Sequence, residues 1–201
     1  MAKIGLSYPL FAKYNNTAGT ITYSEAQLLG HAIEIDISVE TSDDNNLYGD
    51  NMVVESDAGT FSSGTLTFTT SELTPEMSAW LLGAKETEAG TGTVAEIVFD
   101  DDLAPAYLGC GGIIKHRING ATKWQPILLC KVQPRIPDDA VTTQEDEIEW
   151  QTHELEFGIF RSDESSTAHN HPWKIMPKAM YDTEAAAQAY LNGKLNYTPA
   201  G

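Results

Sequence analysis

The sequence predicts a mainly β (α+β) fold, a β-sandwich or flattened barrel with one helix in mid-chain and one at the C-terminus. Several segments alternate apolar and polar side chains with the two-residue period of strands. Two segments begin with helix-capping residues. No Gly/Ser- or Pro-rich linker interrupts the 201 residues. We therefore expect one domain over residues 1–201, in which residues from about 165 onward form a strand and helix packed on it or appended to it.

The clearest strand is predicted at residues 31–41. Apolar side chains from Ile33 to Val39 alternate there with Glu34, Asp36 and Glu40. This period predicts one face that packs on the core and one face that is exposed to solvent.

A long polar loop is predicted next, at residues 42–51, because acids, amides and a glycine follow one another there. Strands at 52–56 and 60–70 are then expected to form a hairpin about a turn at 57–59. Long loops in compact domains are often functional, so the loop is a candidate binding segment.

The mid-chain helix is predicted from its first residues. Thr74 supplies a capping hydroxyl, and Pro75 suits the first helical position because its missing N–H costs nothing there. Met77, Trp80 and Leu81 then share one face, which we expect to pack on the sheet.

The wording of residues 28–84, LLGHAIEIDISVETSDDNNLYGDNMVVESDAGTFSSGTLTFTTSELTPEMSAWLLGA, resembles the major tail proteins of long-tailed phages that infect Gram-positive bacteria. The opening IGLSYPLFAKY and the close WKIMPKAMYDTEAAAQAYLNGKL extend the resemblance to nearly the whole chain. It implies a fold of tail-tube type and a structural function. Subunits would form homohexameric rings by head-to-tail contacts, and the rings would stack into a tube through which DNA passes.

The same resemblance implies the partners and the location of the protein. The tube would enclose a tape-measure protein and end at a tail terminator, and the subunit would bind chiefly to copies of itself. We expect synthesis in the host cytoplasm and a final location in the tail of the virion. No apolar run approaches the roughly 20 residues that a membrane-spanning helix needs, so no membrane is expected.

The net charge agrees with a channel that DNA traverses without tight binding. The chain has 12 Lys and Arg against 29 Asp and Glu, a formal charge of −17. Affinity for nucleic acid comes largely from cationic contacts with phosphates, so this charge opposes tight binding. Glu34, Asp36 and Glu40 are therefore candidate channel-lining residues, although a strand face merely exposed to solvent has the same pattern.

The polar loop is the candidate contact between stacked rings. Its acids and amides offer little to a core, and it is longer than a tight connection requires. The candidate ring-stacking residues are Asp43, Asp44, Asn46, Tyr48 and Asp50.

Cys110 and Cys130 lie on either side of an expected hairpin with an Asn-Gly turn at 119–120. In a regular ladder Cys110 faces Leu129 and Cys130 faces Gly109, which places the two thiols on opposite faces. We therefore expect free thiols, as is usual for a cytosolic product.

The last third of the chain predicts two strands and the C-terminal helix. One strand is expected at 148–159 with a bulge near His153, and another at 173–181. Asp182 or Thr183 can cap the helix that follows.

No spacing typical of an enzyme is present, so we expect neither catalytic activity nor a cofactor. The sequence has no G-x-S-x-G and no C-x-x-C motif. Asp44, Asn46, Gly49 and Glu55 match four positions of a calcium-binding loop. Tyr48 stands where an oxygen ligand is required, and predicted strands rather than helices flank the segment. No metal site is expected, and cation binding by this segment stays an open alternative.

Two other functions are compatible with a β-rich acidic chain. A capsid decoration or head–tail joining subunit would form closed rings or trimers without filaments. A carbohydrate-binding β-sandwich would need clustered surface aromatic residues, whereas Trp124, Trp150 and Trp173 lie apart in predicted strands.

Overall fold

The protein is mainly β, which confirms the predicted fold class. A computed structural model describes residues 2–90, 94–138 and 152–199. Its elements in chain order are β1 (Ala2–Thr17), β2 (Thr20–Leu28), β3 (Ala32–Thr41), β4 (Asn45–Gly49), β5 (Met52–Asp57), β6 (Phe61–Thr70), α1 (Pro75–Leu82), β7 (Lys85–Thr87), β8 (Glu96–Val98), β9 (Leu108–Ile118), β10 (Ala121–Pro134), β11 (His153–Phe160), β12 (Lys174–Ile175) and α2 (Glu184–Leu195).

The main sheet is antiparallel and divides into two layers. Its strand order is β2-β1-β9-β10-β11-β6-β3, and β12 also pairs with β10. The division arises in β10, where Leu128 and Leu129 pair with β12 whereas residues 131–134 pair with β11. One layer is thus built on β1, β9 and β10, and the other on β11, β6 and β3.

Aromatic rings join the two layers in an inner core. The Phe11 ring on β1 lies 5.5 Å from the Phe68 ring on β6 and 5.3 Å from the Phe157 ring on β11, centroid to centroid. Leucines and isoleucines from both layers complete this buried cluster. Burial of large apolar side chains between sheets is the main source of stability in such a fold.

Helix α1 begins and packs as the sequence predicts. The Thr74 hydroxyl accepts a hydrogen bond from the Met77 N–H at 3.2 Å, and Pro75 occupies the first position. Leu81 is buried in the inner core, with Met77 and Trp80 packed against it.

Helix α2 covers the other face of the β1–β9–β10 layer. Its Ala187, Leu191 and Leu195 form a second buried cluster with Leu10 and Leu128 of the sheet. Of the two expected caps, the Thr183 hydroxyl accepts the Ala186 N–H. The layer is therefore covered on both faces, by the opposite layer on one side and by α2 on the other.

The predicted β9–β10 hairpin is confirmed. Asn119 and Gly120 form its turn with φ of 48° and 83°, and Cys110 faces Leu129 as expected. The register shifts between Leu129 and Val132, so the expected pairing of Cys130 with Gly109 is not found. Cys110 lies in the inner core, whereas Cys130 lines a pocket beside β2 and α2. Both thiols are free, and burial raises the pKa of Cys130 to about 12.

The predicted loop at 42–51 and the predicted hairpin of 52–56 with 60–70 are wrong. β5 pairs with β4, and β6 pairs with β3 and β11. The chain reverses at Asp50 and Asn51, both with positive φ, rather than at 57–59. Asn and Asp tolerate that conformation, but neither provides the Asn-Gly or Asp-Gly signal of a tight hairpin.

Other expectations need smaller corrections. The strand expected at 173–181 shortens to β12, because the flanking Pro172 and Pro177 lack the N–H that a ladder requires. β11 pairs with β6 in regular register from His153 to Ile159, so the expected bulge is not found there. Residues 148–151 of the strand predicted at 148–159 lie outside the described ranges.

Candidate functional site

A hairpin of β4, β5 and their turn projects from the sheet, and we call residues 45–57 the arm. Tyr48 faces Val53 and Gly49 faces Met52 across its two strands. Its described side chains are all exposed to solvent. Isolated two-stranded hairpins are marginally stable in water, so an arm of this kind gains from a surface that covers it.

The exposed side chains of the arm are unusually apolar. Tyr48 is 68% exposed and Leu47 is 59% exposed, although both are large enough to contribute to a core. Exposed apolar side chains concentrated in one segment in this way are typical of a protein–protein contact. The exposed apolar members of the arm are Leu47, Tyr48, Met52, Val53 and Val54.

Hydrogen bonds fix the base of the arm to the end of the β3–β6 pair. The Ser42 N–H donates to the Thr60 carbonyl at 2.8 Å, and the Thr60 N–H donates to the Ser42 hydroxyl at 3.0 Å. The Asp44 carboxylate accepts the Gly59 N–H at 2.8 Å. These contacts hold the direction of the arm but bury none of its apolar side chains.

The residues predicted to stack rings are all in or beside the arm. Asp43 and Asp44 precede β4, Asn46 and Tyr48 lie on it, and Asp50 begins the turn. The structure thus gathers them on one projection, although as a strand and turn rather than as a loop.

The predicted channel-lining residues share one face of the β11–β6–β3 layer, which we call the acidic face. Glu34, Asp36 and Glu40 are exposed there, and Glu40 accepts a hydrogen bond from the Ser63 hydroxyl at 2.8 Å. Residues directly opposite one another in a sheet point to the same side, so β11 adds acids to this face. The rows across the three strands are Glu34–Thr69–Glu154 and Asp36–Thr67–Glu156.

Sequence reasoning missed Glu154 and Glu156. The signal was present, because they alternate with Leu155 and Phe157, which are buried. A threonine strand separates the acids of β3 from those of β11 by two strand spacings, roughly 10 Å. That distance is about one Debye length at physiological salt, so their mutual repulsion is largely screened.

Within the described ranges, no group of three or more His, Cys, Asp and Glu side chains is placed to hold a metal ion. The four residues that match a calcium loop are distributed over a hairpin instead. Asp44 already accepts the Gly59 N–H, and Asn46 and Glu55 lie on facing strands. A loop that wraps around one cation is therefore not the geometry found at this position.

A charged cluster ties the strand β10 to the segment after β11. Lys131 donates to the Asp163 carboxylate at 2.7 Å, and its ammonium lies 4.4 Å from the ring centre of Tyr107. The Tyr14 hydroxyl also donates to Asp163, at 3.0 Å. Lys131 lowers the pKa of Asp163, chiefly through this hydrogen bond. The cluster thus links β10 and β1 to the segment that follows β11.

A scan of the chain against protein-family models and a search of the curated proteins both find no match. In the part of the chain that the structure describes, no helix is long and apolar enough to cross a membrane.

Proposed function

We propose that this protein is a structural subunit of a phage tail tube, which forms rings that stack into a channel for DNA. The arm is the observation that carries the proposal. A projection with this much exposed apolar surface is explained by an intermolecular contact. In a tube the arm would meet a different surface on the next copy, and such head-to-tail contacts propagate into rings or filaments.

The acidic face supports the channel part of the proposal. Five carboxylates on a threonine-lined sheet surface would repel the phosphates of passing DNA, and Arg135 pairs with one of them, Glu156. A net charge of −17 keeps the whole subunit unfavourable for nucleic-acid binding. Hexameric rings, an enclosed tape-measure protein and a tail terminator follow from the sequence resemblance.

Assembly is the direct test. The purified protein, followed over a concentration series by light scattering and negative-stain electron microscopy, should form rings and tubes. Replacing residues 43–58 with a Gly-Ser turn should abolish tubes and leave a cooperatively melting fold, because loop length affects closure entropy only logarithmically. Closed rings or trimers that never elongate would indicate a decoration or head–tail joining subunit instead.

The channel assignment has its own test. Changing Glu40 and Glu154 of the acidic face to lysine, with Glu34 and Asp36 left in place, should preserve the fold and make assembled tubes retain DNA at low salt. A matched control changes Glu86 and Glu88, which are exposed elsewhere, to lysine. Equal DNA retention by the two variants would place the acidic face outside the channel.

A further inference from the structure

A groove opens between β3 and the β1–β9–β10 layer, with a volume of about 620 Å³. Within the described ranges β3 is paired only with β6, so its other edge borders this opening. The groove is large enough for several side chains, since sites for small ligands span roughly 300–1,000 Å³. Its apolar lining includes Leu6, Ile33, Ile35, Ile114, Ile127 and Met176.

His116, which lines the groove, has an unsatisfied polar atom. The side chain is 1% exposed, and its Nε2 lies 3.1 Å from the Gln125 amide oxygen. Its Nδ1 is buried without a hydrogen-bond partner among the described residues. A buried polar atom left unpaired destabilises the fold, so a group that enters the groove would be favoured by bonding to Nδ1 once the imidazole turns to expose it.

Two lysines at the groove lack carboxylate partners. Neither Lys3 nor Lys174 forms an ion pair with a described residue, although the chain has a large excess of acids. Burial lowers the pKa of Lys174, and the nearby Lys3 lowers it further. Glu34 and Asp36, on the β3 side of the groove, are the other charged residues there. An acidic partner that reached the two lysines would relieve their repulsion.

The arm has the complementary chemistry. It combines the most exposed apolar side chains of the β3–β6 region with Asp50 and Glu55, and residues 42–59 include no Lys or Arg. We propose that the groove receives the arm of a second copy of this chain, with the Tyr48 ring among the isoleucines and its hydroxyl bonded to Nδ1 of His116 after the imidazole turns toward the groove. The inference rests on the proposed function and names the receptor for the arm.

Tyrosine suits this role because its ring buries a large area while its hydroxyl pairs with a polar group in the pocket. Residues of this type carry much of the binding energy in protein interfaces. Arm and groove are different surfaces of the same chain, so the contact is heterologous and can propagate from copy to copy.

Two complementary variants test the contact. An arm variant, Tyr48→Ser with Met52→Ser, keeps the groove, whereas a groove variant, Ile33→Glu with Lys174→Glu, keeps the arm. Each alone should stop short of tubes while melting cooperatively. Equimolar mixing should give a particle of twice the mass by analytical ultracentrifugation, because one intact arm then meets one intact groove. The control Val94→Ser, at an exposed position outside both surfaces, should assemble like wild type.

The outcomes separate the two proposals. If the groove variant forms normal tubes while the arm variant does not, the arm binds elsewhere and the proposed function survives. A wild-type protein that stays monomeric at every concentration overturns both. A small molecule that native mass spectrometry finds in wild-type tubes and not in the groove variant would assign the groove to a ligand.

The hydroxyl contact is tested separately by Tyr48→Phe. This variant keeps the ring and should weaken association about tenfold, the scale of one buried hydrogen bond. The effect should vanish in a His116→Leu background, provided that this variant melts cooperatively. An equal loss in both backgrounds would show that Tyr48 does not bond to His116.

Discussion

The β9–β10 hairpin and the arm have the same local construction and opposite surroundings. Both reverse through two residues with positive φ, Asn119 and Gly120 in the first and Asp50 and Asn51 in the second. The first is covered on one face by the other layer and on the other face by α2, whereas no described element covers the arm. Turn chemistry thus makes a hairpin, but its neighbours determine whether its apolar side chains stabilise the fold or remain for an intermolecular contact.

The same Leu→Ala truncation in the two hairpins should have very different effects on the free energy of unfolding. Leu129→Ala on β10, where the side chain is 1% exposed, should cost about 2–5 kcal/mol because it leaves a cavity in the inner core. Leu47→Ala in the arm should change the free energy of unfolding by less than about 0.5 kcal/mol. Urea denaturation at a concentration that keeps the protein monomeric measures both. Similar losses would mean that the arm folds back on its own subunit.

The glycines of β9 should be the next most sensitive positions. A Cβ at Gly109 would lie 2.4 Å from the Tyr23 ring and 2.8 Å from Leu195 of α2, so the helix packs close only because no side chain intervenes. Gly109→Val should therefore cost about 1–3 kcal/mol by overpacking. Gly193→Ala is the control, because a Cβ there meets nothing and should stabilise the helix by about 0.5–1 kcal/mol. An unchanged denaturation midpoint for Gly109→Val would show that α2 is not held against β9.

The difference between the hairpins also explains what sequence could predict. The Asn-Gly dipeptide and the long apolar runs of β9 and β10 are local signals, and they predict the turn and the register as far as the Cys110–Leu129 pair, but not the register shift between Leu129 and Val132. The arm has a weaker turn signal at 50–51 and many polar residues, so it resembles a loop. Only the pairing of β6 with β3 and β11, a long-range choice, leaves β5 free to pair with β4.

The candidate sites show the same division between features that local sequence signals predict and features that depend on long-range strand pairing. Alternation alone predicts that Glu34, Asp36 and Glu40 share an exposed face, and their exposure in the structure agrees. Sequence could not show that Glu154 and Glu156 join them, because the order of strands in a sheet is not a local property. The groove could not be predicted from the sequence for the same reason. His116 and Ile33 are far apart in sequence and line one groove only because the two layers pack together.

The β9–β10 hairpin has an electrostatic tie that the arm lacks, and it should make stability depend on pH. The pKa of Asp163 is lowered in the folded protein, chiefly by Lys131, so its stabilising effect is present above the unfolded pKa of about 3.9 and is lost as pH falls through the folded pKa. Because the carboxylate is 42% exposed, we expect Asp163→Asn to cost no more than about 1 kcal/mol at pH 7.

That loss should begin to shrink below about pH 4, where the carboxyl of the unfolded chain takes up a proton, and should vanish once pH falls below the lowered pKa of the folded protein. Denaturation of both proteins across pH 3–7 measures it. Asp50→Asn in the arm, which removes a carboxylate without an ion pair among the described residues, should stay within about 0.5 kcal/mol of wild type. A difference for Asp163→Asn that did not depend on pH would assign its effect to packing.

The smallest effect on global stability, and the one most confined to the arm, is expected for Gly59→Ala. A Cβ at this position would lie 1.8 Å from the Ser42 carbonyl oxygen, so the base of the arm must move. The base lies outside both buried clusters, and the free energy of unfolding should therefore change by no more than about 0.5 kcal/mol. Hydrogen exchange should nevertheless show faster exchange at the amides of residues 60 and 59, which in the wild type donate to Ser42 and Asp44.

Tubes of the Gly59→Ala variant should fail to form, because an arm that has lost its fixed direction must be ordered again on binding. Ser56→Ala, a truncation within the arm that creates no clash, should preserve both the exchange pattern and assembly. If Gly59→Ala formed tubes as well as Ser56→Ala does, a preset direction of the arm would not be needed for assembly.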